Sequence, residues 1–223
     1  MRVLTVIPAR GGSTRIPNKA MAMFCGRPLI DYTLNIAKRC KLNAVVSTDS
    51  EQIYWHAMNL GFDAIRRPAE LANHTASTVS VLQHAKKMYS ERDTVLCLQP
   101  TNPLRLESDV QCAFTLMGIG HDSVCSSVRC SDRHPAWCFG DGRTIGDTFH
   151  NSQRSQLKAM YHRDGTVYMA KRHIIDAGSL CGELPGAVEI PPERAVNIDE
   201  PHDLVIAEAL FRKYIEKDYQ WVL

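Results

Sequence analysis

The hydrophobic positions along the chain fall into short apolar runs that alternate with segments of helical periodicity. Apolar, often β-branched runs predict strands over residues 3–7, 44–47, 62–65, 94–98 and 123–128. Between them, apolar side chains recur every three or four positions, which predicts helices over residues 29–37, 51–60, 77–89, 108–117 and 201–214. This alternation indicates an α/β fold with a mainly parallel sheet covered by helices.

Polar residues mark the boundaries of several of these elements. Asp49 and Ser50 are suited to cap the helix that follows them, and Gly61 ends it. Between residues 129 and 161 the alternation breaks down, and Gly140, Asp141, Gly142 and Gly146 predict turns, as in a hairpin or a protruding arm. We find no repeat and no low-complexity linker, so residues 1–223 are expected to form one domain.

Composition narrows the classes of function. The formal net charge is +2, without a basic run, which argues against a nucleic-acid partner. No segment approaches the roughly 18 consecutive apolar residues of a membrane span. The 8 cysteines form no CxxC pair and no zinc-finger spacing, which is typical of buried thiols in a reducing compartment, and we expect a cytoplasmic protein.

A glycine-rich basic loop follows the first predicted strand, Pro8-Ala9-Arg10-Gly11-Gly12-Ser13-Thr14-Arg15-Ile16-Pro17-Asn18-Lys19. Glycines let backbone amides approach an anion, and Arg10, Arg15 and Lys19 bring charge that would neutralise a triphosphate. The spacing is neither that of a Walker loop nor that of the dinucleotide fingerprint. The loop therefore predicts phosphate binding of another kind; a plain turn with solvated charges is the alternative.

Two other polar segments are expected beside this loop. Residues 99–105 follow the fourth predicted strand, and residues 197–199 precede the last helix. In an open parallel sheet, ligands bind at the carboxyl ends of the strands, where such loops converge. The alternatives are a strand-ending turn at 99–103, a surface role for Lys19 and helix capping by Asp199.

Taken in order, these segments resemble the acylneuraminate cytidylyltransferase family, which makes CMP-sialic acid and related CMP-sugars. The resemblance lies in the basic loop, Gly26-Arg27-Pro28-Leu29-Ile30, Val46-Ser47-Thr48-Asp49-Ser50, Arg67-Pro68-Ala69-Glu70-Leu71 with Thr75-Ala76-Ser77, Leu98-Gln99-Pro100-Thr101-Asn102-Pro103-Leu104-Arg105, residues 161–168 and Val196-Asn197-Ile198-Asp199. It covers nearly the whole chain. It implies a three-layer, Rossmann-like nucleotide-diphospho-sugar transferase fold and the transfer of CMP from CTP to a 2-keto sugar acid.

The resemblance also assigns roles to residues. It implies catalytic roles for Lys19, Arg10 and Asp199, and nucleotide binding by Ala9, Arg10, Gly11, Gly12, Ser13, Arg15, Lys19, Arg67 and Ser77. It implies that Gln99, Thr101 and Arg105 line the sugar-acid pocket or hold its loop, together with substrate binding by His162 and Arg163. Asp199 and Asn197 are expected to hold Mg²⁺ or Mn²⁺. The expected partners are CTP, a sugar acid and a second copy of the chain, with 129–161 as a dimerisation arm.

The chain departs from the family pattern at several positions. Thr14-Arg15 stands where Lys-Gly is frequent, Ala20 follows Lys19 in place of Asn, and Asn197 replaces an aspartate. His162 and Asp164 stand where Arg and Asn are common, and a carboxylate at 164 would repel an anionic sugar. These departures leave open a Kdo-type or other nucleotide-sugar transferase, or a catalytically weak nucleotide- or sugar-binding subunit.

Overall fold

Strands and helices alternate along most of the chain. The computed structural model describes residues 1–73, 75–130, 134–140, 143–144 and 153–223. The strands are β1 (Val3–Pro8), β2 (Met23–Phe24), β3 (Arg27–Pro28), β4 (Ala44–Thr48), β5 (Asp63–Arg66), β6 (Thr94–Cys97), β7 (Ser123–Arg129), β8 (Phe139–Gly140), β9 (Arg143–Thr144), β10 (Tyr161–Lys171) and β11 (Pro185–Glu189). The α-helices are α1 (Leu29–Arg39), α2 (Glu51–Asn59), α3 (Thr78–Met88), α4 (Glu107–Gly118), α5 (Arg172–Asp176) and α6 (Pro201–Tyr214).

The central sheet has seven strands in the order β11-β7-β10-β6-β1-β4-β5. Strand β10 runs antiparallel to both of its neighbours, whereas the other strand pairs of this sheet are parallel. The mainly parallel mixed sheet that the sequence predicts is therefore confirmed. The carboxyl ends of β1, β4 and β6 lie at one edge, where a parallel sheet presents its loops.

The two faces of β1 show why the sheet is covered on both sides. Leu4 and Val6 belong to a buried cluster with residues of α3 and α5. Ile7 belongs to the opposite cluster, with residues of α1, α2 and α4. Because successive side chains of a strand point to opposite faces, an uninterrupted apolar strand needs a helical layer on each side. The result is the expected three-layer architecture.

A third, aromatic cluster fixes α6 against α1. The rings of Tyr32 and Phe211 lie 5.2 Å apart at their centroids, and Phe24 packs edge-on against Tyr32 at 4.8 Å. Offset and edge-on aromatic pairs of this kind add to the free energy gained by burial. This cluster positions the chain just before α6, which carries Asn197 and Asp199.

The predicted strands and helices are present, and none of their ends differs by more than two residues. Ser50 caps α2, since its hydroxyl accepts a hydrogen bond from the Ile53 N–H at 3.4 Å. The sequence missed β11 and α5, and it did not give the reversed direction of β10. In the part of the chain that the structure describes, no helix is long and apolar enough to span a membrane.

The described part of the irregular segment contains one short hairpin, in which β8 and β9 pair antiparallel. The predicted turns at Asp141, Gly142 and Gly146 lie outside the described residues. The dimerisation role of residues 129–161 stays a prediction.

Candidate active site

A cleft of about 390 Å³ opens at the carboxyl ends of β1 and β6. It brings together nine residues that the sequence places in the site: Ala9, Arg10, Ser13, Lys19, Arg67, Gln99, Thr101, Asn197 and Asp199. These residues come from four separate segments of the chain. The predicted convergence of the basic loop, residues 99–105 and residues 197–199 is therefore present.

The loop after β1 is held against the start of α2. The Ala9 N–H donates to the Ser47 carbonyl at 2.9 Å, and the Gly11 N–H donates to Asp49 Oδ1 at 2.9 Å. A Cβ at Gly11 would lie 2.8 Å from the Cβ of Ser50, so only glycine fits this close approach. Gly11 therefore has a packing role here. Neither Gly11 nor Gly12 lines the cleft, and phosphate binding by Gly12 stays a prediction.

Lys19 and Asp199 form the charged centre of the cleft. The Lys19 ammonium donates to the Ile198 carbonyl at 2.7 Å and to Asp199 Oδ1 at 2.9 Å. Asn197 donates its side-chain amide to Asp199 Oδ2 at 2.5 Å. Only 15% of the Lys19 side chain is exposed, against 46% for Asp199. The ammonium is thus fixed at the cleft wall, and a purely solvated role for Lys19 does not fit.

The alternative that Asp199 caps the last helix does not fit either. The N-cap of α6 is Glu200. The N–H groups of Asp199 and Glu200 donate to the Asp203 carboxylate at 2.9 and 2.7 Å. Asp203 therefore satisfies this helix start, and both carboxylate oxygens of Asp199 face Lys19 and Asn197.

Two arginines complete the positive wall. Arg10 donates to the Asn73 carbonyl at 3.3 Å. Arg67, only 8% exposed, donates to the Ser47 carbonyl at 2.7 Å and to its hydroxyl at 3.3 Å. Burial lowers the pKa of Arg67, and the Asp49 carboxylate opposes that shift. Arg10, Lys19 and Arg67 thus face one cleft with a single carboxylate, an arrangement that favours a polyanionic ligand.

Asn102 ties the remaining loops together, a role that the sequence did not reveal. It is buried, and its amide donates to the carbonyls of Asp164 at 3.1 Å and Val196 at 3.4 Å. Nearby, the Ile198 N–H donates to the Thr101 carbonyl at 2.8 Å. The loop with Gln99 and Thr101 is therefore bonded directly to the segment that carries Asp199.

Arg105 lies behind this loop and does not line the cleft. It is 1% exposed and donates to the Thr166 carbonyl at 2.6 Å, the Gln99 carbonyl at 2.8 Å and the Thr33 hydroxyl at 3.1 Å. Burial lowers the pKa of Arg105 to about 10. Of the two roles that the resemblance implies, this geometry supports holding the loop; it offers no direct contact with a substrate.

Four other predicted site residues lie outside the cleft lining: Arg15, Ser77, His162 and Arg163. Arg15 forms an ion pair with Glu200, with 3.2 Å between Nε and Oε1. Ser77 caps α3 by accepting from the Ser80 N–H at 3.1 Å. These contacts give Ser77 a capping role and Arg15 an exposed ion pair, and nucleotide binding by both residues stays a prediction.

His162 and Arg163 are exposed on β10, next to its bulge. Nδ1 of His162 lies 3.5 Å from the Cys130 sulfur. Asp164 accepts from the Thr166 hydroxyl at 2.5 Å and, like His162 and Arg163, does not line the cleft. Substrate binding by His162 and Arg163 stays a prediction.

The cleft lining also includes eight residues to which the sequence assigned no site role. They are Pro8, Ala20, Leu29, Asn73, Ala76, Thr78, Val81 and Pro100. Thr78 and Val81 lie on the first turn of α3, directly after the cap residue Ser77. The sequence predicted a helix over residues 77–89 and a nucleotide contact at Ser77, and the first turn of that helix was the available signal for this wall of the cleft.

The oxygen donors at Asp199 and Asn197 fit a hard divalent cation. Mg²⁺ prefers oxygen ligands, keeps several waters and is held in nucleotide sites by one or two carboxylates together with phosphates. Among the described residues, no three His, Cys, Asp or Glu side chains form a metal cluster. A cation beside Asp199 would therefore take most of its ligands from a nucleotide and water.

Comparison with known proteins adds to this geometry. The family model described as "Cytidylyltransferase" matches residues 4–116. The chain is 31% identical to the CMP-N,N'-diacetyllegionaminic acid synthase of Legionella pneumophila over 94% of this chain and 96% of that protein. It is 27% identical to the N-acylneuraminate cytidylyltransferase of Escherichia coli O18:K1:H7 over 95% of this chain, which spans about half (52%) of that relative.

A solved structure shows the same fold. The CMP:2-keto-3-deoxy-manno-octonic acid synthetase complexed with CTP aligns with a TM-score of 0.74 at 18% identity, covering 96% of this chain and all (100%) of that one. At this identity the likeness concerns the architecture alone.

Proposed function

Because the chain belongs to the cytidylyltransferase family, we propose that it transfers CMP from CTP to the anomeric hydroxyl of a 2-keto sugar acid, releasing pyrophosphate. The proposed acceptor is a nonulosonate such as sialic, legionaminic or pseudaminic acid. Relatives at 27% and 31% identity carry names of this substrate class, and they support the choice.

One observation carries the proposal: the Lys19 ammonium, held by Asp199 and the Ile198 carbonyl, faces the same cleft as Arg10 and Arg67. Charge develops on the α-phosphate and on the departing pyrophosphate during nucleotidyl transfer. Fixed cations aimed at that charge lower the barrier without having to reorganise. The positions of these side chains suit this task better than they suit the binding of a neutral sugar alone.

In the proposed reaction, the anomeric oxygen of the sugar acid forms a bond to the α-phosphorus of CTP. The bond between that phosphorus and the oxygen bridging to the β-phosphate breaks, and the electron pair leaves with pyrophosphate. The hydroxyl proton passes to solvent or to a basic group. Lys19 and Arg10 hold the phosphates, and Gln99 and Thr101 face the acceptor side.

Asp199 and Asn197 would hold Mg²⁺ (or Mn²⁺) in this scheme. When bound, the metal would neutralise phosphate charge and favour departure of pyrophosphate. Lys19 keeps the Asp199 carboxylate oriented toward the cleft.

We further propose that the protein acts in the cytoplasm as a homodimer, with residues 129–161 as the contact arm. CTP is a cytoplasmic substrate, and the irregular segment with its β8–β9 hairpin supports an arm of this kind. A CMP-activated sugar acid is a glycosyl donor, so its use in polysaccharide biosynthesis is the corresponding role.

Asn197 favours a second candidate, a nucleotide- or sugar-binding subunit with weak catalysis. Its amide donates to Asp199, where a carboxylate would add negative charge for a metal. Such a subunit would bind CTP without converting it.

The test is pyrophosphate release from CTP and Mg²⁺ with N-acetylneuraminate, legionaminate, pseudaminate or Kdo, using UTP, GTP and ATP as controls. The proposal predicts release with CTP and one nonulosonate. Release with Kdo alone would move the assignment to the Kdo-type reaction. Saturable CTP binding without release from any pair would favour the binding subunit.

A further inference from the structure

A second cavity lies at the opposite edge of the sheet from the candidate active site. Its volume is about 610 Å³. The residues that line it lie at the starts of β1 and β4, at the end of α1 and on one face of α4. Strand β1 runs from this cavity to the cleft, and its six residues separate the two by roughly 20 Å. The two cavities share no lining residue.

The lining of this cavity is basic and partly apolar. Four cationic side chains line it, and none of its lining residues is Asp or Glu: the cations are Arg2, Arg39, Lys41 and Arg92. Apolar lining comes from Val3, Leu42, Val110 and Phe114, among others. A ligand that matches both features carries a negative group and an apolar part.

Two of the four cations are already neutralised. Arg39 forms an ion pair with Glu107, and Arg92 pairs with Glu91 at 2.9 Å. Among the ion pairs between described residues, none includes the side chain of Arg2 or Lys41. The Asp93 carboxylate accepts from the Arg2 backbone N–H at 3.1 Å and so lies near Arg2, and Lys41 is therefore the side chain most available to an anion, with Arg2 beside it.

The backbone at Lys41 points to a role for its side chain. Lys41 follows the C-cap residue Cys40 and has a φ of 53°, in the left-handed region. The next residue, Leu42, donates its N–H to the Ala37 carbonyl at 2.9 Å, which closes the end of α1. Glycine is the favoured residue at such a position, and a lysine is strained there. Interaction with the helix dipole is the competing explanation for this cation.

We propose that this cavity binds a small organic phosphate. Lys41 and Arg2 contact the phosphate, and the apolar part of the ligand lies against Leu42 and Phe114. The site is independent of the proposed CMP transfer, since none of its residues belongs to the cleft.

The test is calorimetric titration with phenyl phosphate, which combines an aromatic ring with a phosphate. Phenol and inorganic phosphate serve as partial ligands and should each bind more weakly. Lys41→Gly and Arg2→Gln should each weaken the binding of phenyl phosphate about fivefold or more, since each removes one charge-assisted contact. Lys41→Gly should keep or raise the Tm, because glycine relieves the left-handed strain.

Two controls locate the site. Lys38→Ala removes a cation from the same helix end, but from a residue that does not line this cavity, and should leave binding unchanged. Lys19→Ala should also leave it unchanged. Any one of three results would overturn the proposal. They are no saturable binding at millimolar phenyl phosphate, unchanged binding in both Lys41→Gly and Arg2→Gln, and loss of binding in Lys19→Ala. A further combination of results would overturn the proposal: a lower Tm for Lys41→Gly together with unweakened binding of phenyl phosphate by Arg2→Gln. That combination would mean that Lys41 interacts with the helix dipole and does not contact a phosphate.

Discussion

At the scale of single residues, the cleft depends on charges that are fixed before any ligand binds. Lys19 shows this most clearly, because its ammonium is mostly buried and bonded to both Ile198 and Asp199. A flexible surface lysine would lose more side-chain entropy on binding phosphate than this one does. The pairing with Asp199 therefore prepares the cation for its proposed task.

Lys19→Ala should lower turnover by about 100-fold or more, since it removes a fixed cation from the developing phosphate charge. The loss of unfolding free energy should stay at about 1 kcal/mol, because Asp199 is half-exposed and remains solvated. Pyrophosphate release and urea unfolding measure the two quantities. Lys87→Ala, at an exposed position of α3, is the matched control. Near-normal turnover in Lys19→Ala would remove the residue from the mechanism.

The environment of His84 indicates how the free energy of unfolding depends on pH. Burial lowers the pKa of His84, as do the nearby charges of Lys87 and Arg67, and its buried Nδ1 has no hydrogen-bond partner among the described residues. A lowered pKa means that the unfolded state binds the proton more tightly. Stability should therefore decrease as the pH falls through the unfolded histidine pKa of about 6.5.

His84→Gln should lose less stability at low pH than the wild type. The measurement is the difference in unfolding free energy between pH 7.5 and pH 5.5, about one unit above and below the histidine pKa in the unfolded state. His173→Gln, at an exposed histidine of α5, should retain the wild-type dependence. Identical pH dependence in His84→Gln and wild type would contradict the assignment.

At the scale of elements, the loop after β6 is positioned by the bulge of β10. Gly165 has a φ of 90°, and a Cβ there would lie 3.0 Å from Gln99 Oε1 and 3.3 Å from Asn102 Oδ1. Strand β10 thus lies directly behind the side chain of Gln99, which lines the cleft. A change at Gly165 should act on the site through Gln99.

Gly165→Ala and Gly178→Ala form a matched pair. Both residues have positive φ, at 90° and 81°, but no atom lies within 4 Å of a Cβ at Gly178. Both variants should lose about 1 kcal/mol of stability from the left-handed backbone. Only Gly165→Ala should raise the KM for the sugar acid, because it displaces Gln99. An equal effect on KM in both variants would show that Gly165 is needed for folding alone.

Local patterns were enough to predict most elements and the convergence of three loops at one edge. Helical periodicity and short apolar runs are local signals, and the carboxyl-edge rule brings their loops together. The direction of β10 and the role of Asn102 depend on contacts between residues 62 to 77 positions apart in the sequence. Arg105 illustrates the limit best: a motif shows that an arginine is needed, but only packing decides whether it faces the cleft or supports the loop behind it.

At the scale of the whole molecule, the proposed homodimer depends on residues 129–161 as its contact arm. The described part of this segment contributes one short hairpin, and β7 and β10 lead into and out of it. Light scattering after size exclusion should give twice the monomer mass for the intact chain. Deletion of residues 139–152 should give the monomer. A monomeric intact chain at micromolar concentration would contradict the arm assignment.

In the proposed reaction, the anomeric oxygen of the sugar acid attacks the α-phosphorus of CTP. The most direct measurement uses a nonulosonate labelled with ¹⁸O at the anomeric hydroxyl, mixed with CTP, Mg²⁺ and the protein, with mass spectrometry of the products. Attack by the anomeric oxygen should give a CMP-sugar that retains the label and unlabelled pyrophosphate, with little product from Lys19→Ala. A product without the label, or CMP and pyrophosphate without a CMP-sugar, would contradict it.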